Sequence, residues 1–76
     1  MEMNTNKRER RLARNLSELR AARKYTAAQL DKQFNLAPGT WSRYEQGEDP
    51  PHDITLQIKD FFHVDIFELL YKDINP

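Results

Sequence analysis

Cysteine is absent from this chain, which excludes disulfides and thiolate zinc sites, and its two histidines, His52 and His63, lie too far apart in sequence to form a local metal pair. Both are read as loop residues. No apolar run approaches the length of a membrane span, and Met1 to Arg11 lacks the hydrophobic segment of a secretory signal, so a cytoplasmic protein with no membrane partner is expected. No segment sustains an alternation of apolar and polar residues, and no strand is predicted. There is no glycine-rich phosphate loop, His-Glu-x-x-His pair or nucleophile elbow, and 76 residues leave little room for a catalytic pocket. The expectation is a non-enzyme without cofactor or metal. One small domain fits this length, burying roughly 60% of the surface that the unfolded chain exposes. Hydrophobic residues make up 38% of the chain, and Trp41, Tyr25, Tyr44, Tyr71 and four phenylalanines supply bulk for a core.

Charge of one sign is also missing overall, since the formal net charge is zero, but the balance conceals a gradient. Residues 1–24 hold eight cations against three anions, whereas residues 51–76 hold two cations against five anions. One end is suited to phosphate and the other is kept from it. Five of the cations crowd into Lys7 to Arg14 with only Glu9 among them, which is either an arm that follows a phosphate backbone or a solvated helix face.

Helical periodicity divides what is present into five segments. Leu12, Leu16 and Leu19 recur on one face of a first helix running from about Arg8 to near Lys24, beneath a basic outer face. Residues 1–8 are expected to form a disordered basic arm, residues 9–71 the domain and residues 72–76 a tail. Thr26 and Gln29 have the spacing of a capping box at the start of a second helix over 27–34. Pro38 suits the first turn of a third helix over 38–46, and Gly47 suits a left-handed residue just past its end. Between these two helices Asn35 occupies a slot that needs positive φ. Glu48-Asp49-Pro50-Pro51 breaks the chain. A fourth helix follows from about Asp53 to Phe62 with Ile54, Ile58, Phe61 and Phe62 inward, and Asp65 caps a last one, Ile66 to Tyr71, with Leu69 and Leu70 inward. Two short helices around a tight turn form a helix-turn-helix pattern.

The segments Asn15-Leu16-Ser17-Glu18-Leu19-Arg20, Ser42-Arg43-Tyr44-Glu45-Gln46-Gly47 and Asp60 through Leu70 together resemble the Cro/repressor class of bacterial and phage proteins, the XRE family, from about Leu12 to Leu70. This resemblance implies an all-α, five-helix, lambda-repressor-like DNA-binding domain whose third helix enters the major groove, two copies reading two half-sites. The base-reading positions it implies are Pro38, Gly39, Thr40 and Arg43. Arg43 is long enough for a bidentate contact with guanine, Thr40 offers a hydroxyl or a methyl, and Pro38 and Gly39 favour close backbone approach. Trp41 lies about 200° around the helix from Arg43 and is expected in the core. Phosphate contacts are assigned to Thr26, Lys24, Ser42, Arg14, Arg11 and Arg10, and Arg20 with Glu45 to a structural pair.

This chain also departs from the family pattern. Ala27 stands where relatives commonly have a phosphate-gripping glutamine, leaving Thr26 and the helix start to serve. Glu48 and Asp49 stand where many relatives are basic and are expected to repel a nearby backbone, and Asp31 replaces a small alanine. Phe67, Leu70 and Tyr71 are expected either to meet a second copy or to cover the first helix. The reading is a DNA-binding transcriptional regulator acting as a homodimer on double-stranded DNA. Its alternative is an interaction module of the same fold that pairs with another regulator or a toxin, and salt dependence separates the two.

Overall fold

The computed structural model describes residues 7–71, with side chains over 11–71, and all regular structure in that span is helical. The elements are α1 (Lys7–Ala22), α2 (Ala27–Gln33), α3 (Thr40–Glu45), α4 (His52–Phe62) and α5 (Ile66–Tyr71). The expected arm and tail lie outside the described residues, except that Lys7 and Arg8 already belong to α1. No helix among the described residues is long and apolar enough to cross a membrane.

Each helix contributes to one core. Leu16, Leu30, Trp41, Ile58, Phe62 and Leu69 are fully buried, and α1 packs along both α5 and α3. Burying a side chain of this size is worth about 1.5–3 kcal/mol, which is how helices as short as α2, α3 and α5 persist although each would be marginal alone. One polar residue sits in the leucine stripe of α1. Asn15 is fully buried, and its Nδ2 donates to the carbonyl of Leu69 at 2.8 Å, tying α5 to α1. Thr55 replaces Ile54 and Phe61 on the innermost face of α4, with those two only half-buried.

Four helix ends share one device. Lys24, Asn35, Gly47 and His63 have φ of 63°, 61°, 116° and 58°, and each donates its N–H back to the helix it terminates. The following residue, Tyr25, Leu36, Glu48 or Val64, donates to a carbonyl five positions earlier, completing a Schellman motif. Asn35 and Gly47 meet expectation. Lys24 and His63 were not marked by residue type: α1 stops at Ala22, and His63 serves as the C-cap of α4 instead of an ordinary loop residue, while His52 belongs to α4. A left-handed residue with a Cβ costs about 1–2 kcal/mol, and glycine returns part of that through unfolded-chain entropy. His63→Gly is therefore expected to stabilise the domain by roughly 0.5–1 kcal/mol. Urea unfolding checks this through the midpoint; a lower midpoint would show that the exposed imidazole holds the turn.

The third helix differs from expectation at its start. Pro38 and Gly39 are not its first turn: they form a type II turn closed by Thr40 N–H to the Ala37 carbonyl at 3.1 Å, with Gly39 at φ 89° and ψ −6°. Proline at the second position and glycine at the third suit that turn better than two helical residues.

Candidate nucleic-acid interface

The unit α2–turn–α3 is held by the rings of Phe34 and Trp41, stacked 5.8 Å apart at 11°, with Leu30 and Tyr44 beside them. Trp41 is wholly buried, which makes it core as expected. Arg43, two positions on, has a side chain 54% exposed. Its Nε donates to Glu48 Oε1 at 3.1 Å, and its Nη2 lies 3.4 Å from Thr40 Oγ1. Glu48 is therefore an ion-pair partner of the arginine expected to read bases. Thr40 is only 8% exposed, so its hydroxyl is turned to Arg43 more than to solvent. Pro38 and Gly39 are exposed at the mouth of α3, and Ser42 is half-buried.

The residues assigned to phosphate divide into two groups. Thr26 and Lys24 are both exposed around the turn that opens α2. The capping box there is closed: Thr26 Oγ1 accepts from Gln29 N–H at 3.1 Å, and Gln29 Oε1 accepts from Thr26 N–H at 2.8 Å. The Thr26 hydroxyl keeps its own proton to donate. Arg14 is exposed and lines an open groove of about 330 Å³ with Ala13, Glu45, Gln46 and Gly47, which brings a cation to the end of α3. Arg11 is used differently. It is half-buried, and its Nη1 donates to the carbonyl of Tyr71, where the C-terminal end of α5 favours a cation. The side chain of Arg10 lies outside the described residues.

Arg20 and Glu45 form the structural pair. Arg20 Nε donates to Glu45 Oε2 at 2.6 Å, Nη2 donates to Oε1 at 3.3 Å, and Nη1 donates to the Tyr25 carbonyl at 3.2 Å. The same Oε2 accepts from Trp41 Nε1 at 2.6 Å. One carboxylate thus joins α1, the core tryptophan and the last turn of α3. The hydrogen bond with Glu45 raises the pKa of Arg20 above its ordinary value. Burial raises that of the Tyr44 phenol.

Sequence reasoning passed over two contacts. Asp31 is buried, and its carboxylate accepts from the N–H groups of Gly39 and Trp41 at 2.9 and 2.8 Å. The signal was available, since a charged residue stood where a small one was expected. Arg23 is exposed, yet it donates to the Phe62 carbonyl at 3.2 Å and lies 5.5 Å from the centre of that ring, which ties it to the end of α4. On α5, Phe67 and Tyr71 are 56% and 39% exposed with rings 5.0 Å apart, whereas Leu70 is half-buried beside a cavity shared with Pro50, His52 and Ile66.

Residues 11–64 match the profile of a family described as a helix-turn-helix domain. That span takes in most of α1, all of α2, α3 and α4, and both ion pairs of α3. No curated protein and no solved structure matches the chain.

Proposed function

The chain belongs to the helix-turn-helix domain family, which its match covers over residues 11–64, and from this we propose that it is a sequence-specific transcriptional regulator of the XRE type that binds double-stranded DNA as a homodimer. Recognition is by α3 in the major groove, with Arg43 as the base-reading side chain. The observation that carries this reading is the exposed Arg43 guanidinium on the side of α3 away from the buried Trp41. With Nε held by Glu48 and one Nη2 hydrogen turned to Thr40, Nη1 and the other Nη2 hydrogen remain to face the O6 and N7 of guanine. Thr40 steadies the same guanidinium through its hydroxyl. Pro38 and Gly39 allow the backbone close to the groove, while Thr26, Lys24, Ser42 and Arg14 flank it toward phosphate.

The test is selection of bound duplexes from a random pool, with affinity measured against salt. A palindrome should be enriched, and affinity should fall steeply as salt rises. Arg43→Ala should cost about 1–3 kcal/mol in affinity for the selected duplex and leave the melting temperature nearly unchanged. Unfolding of that variant would make Arg43 structural and place the wrong face of α3 outward.

A second reading is an interaction module of the same fold, favoured by the exposed Phe67–Tyr71 pair and by the engagement of Arg43 with Glu48. Such a module keeps its protein partner at salt that strips DNA. A chain with no salt-dependent affinity for any duplex would be this module.

A further inference from the structure

We propose that Asp31 is a positioning residue that sets the rotation and depth of α3 against α2, and through it the duplex sequence that Arg43 selects; this rests on the DNA-reading function proposed above. Three bonds converge on this one residue. Its carbonyl accepts from Leu36 N–H at 2.7 Å, closing the turn after α2. Its Oδ2 accepts from Gly39 N–H at 2.9 Å and its Oδ1 from Trp41 N–H at 2.8 Å. The stretch from Leu36 to Trp41 is thus bracketed by a single residue of α2.

What else joins the two helices is apolar. The Phe34–Trp41 stack and its neighbours bring α3 close, but burial of this kind is non-directional and permits sliding and rotation. Hydrogen bonds to two N–H groups two positions apart do not. α3 has only six residues and no side-chain cap from Gly39, so its first turn cannot hold its own orientation. The carboxylate of Asp31 supplies that cap from the neighbouring helix, and a buried anion beside a helix N-terminus is favourably placed.

Arg43 lies two residues past Trp41, so any rotation of Trp41 about the α3 axis carries the guanidinium with it. A binding group has to be held within about 0.5 Å and 10–20° of its productive geometry. The alanine expected at this position from the family resemblance has no acceptor to offer. This chain therefore fixes its recognition helix by a contact that a small residue lacks, and its preferred sequence depends on that contact.

The experiment uses the full chain with Asp31→Asn, close to isosteric, and Asp31→Ala. Affinities for the parent's selected duplex and for a scrambled duplex are compared at a temperature where circular dichroism shows each variant folded. The ratio of the two should fall by about ten-fold or more, the scale of one or more mismatched base pairs. The salt dependence on scrambled duplex should stay as in the parent, because no phosphate contact is removed. Loss of stability alone scales both affinities by the folded fraction and leaves their ratio intact. A retained ratio in both folded variants, with Arg43→Ala abolishing it, overturns this inference and spares the DNA-reading function. A parent that does not discriminate between duplexes overturns that function and this inference with it. Unfolding of both variants makes the role of Asp31 purely structural and likewise overturns it.

Discussion

Glu45→Ala should lower the stability of the domain by about 3 kcal/mol, near the bottom of the range for breaking a buried ion pair, because Arg20 and Glu45 keep 27% and 16% of their side-chain surface exposed. The loss has two sources. Arg20 is left with only the Tyr25 carbonyl, and Trp41 Nε1 is left without its acceptor. A buried donor without a partner costs about 1–3 kcal/mol by itself. For a domain of this size, each kcal/mol corresponds to a shift of roughly 4–8 °C in melting temperature. Thermal unfolding of Glu45→Ala, Arg20→Ala and the double variant checks the account. The double variant should be less destabilised than the sum of the singles, since each single breaks the same contact. Additive losses would mean that Glu45 acts mainly through Trp41.

Phe67→Glu combined with Tyr71→Glu should give a folded monomer whose affinity for the selected palindrome falls by about 10²–10⁴-fold, the advantage of holding two recognition elements together. Both side chains are exposed, so the core should not register the change. In a two-fold interface the introduced carboxylates of one copy face those of the other, like charge against like charge. Leu70, half-buried within the domain, has less surface to offer. Sedimentation of parent and variant decides the matter. A dimer unaffected by the substitutions puts the interface elsewhere, and a monomeric parent with tight palindrome binding means that the copies meet only on DNA.

The helix count, the absence of strands in the described span, the bounds of α5 and the capping box of Thr26 and Gln29 were all legible in the sequence. So were the left-handed Asn35 and the caps at Asp65 and Gly47. Each of these is settled within about four residues, because helix periodicity and end-capping satisfy backbone groups from local side chains. Arg20 and Glu45 were legible only through the family resemblance, since their partnership spans α1 and α3.

Tertiary structure decided what depends on groups distant in sequence. Local preference put Pro38 in the first turn of α3, but the carboxylate of Asp31 on α2 takes the Gly39 and Trp41 N–H groups, and the helix begins at Thr40. Arg11 was grouped with phosphate contacts by its charge, yet folding sets it against the end of α5. Glu48 was expected to repel DNA and is paired with Arg43. Lys24 and His63 accept left-handed conformations because the packing of α1 and α4 requires the chain to turn there. Charge and propensity are properties of a residue, while the partner that uses them is chosen by which helices the core brings together.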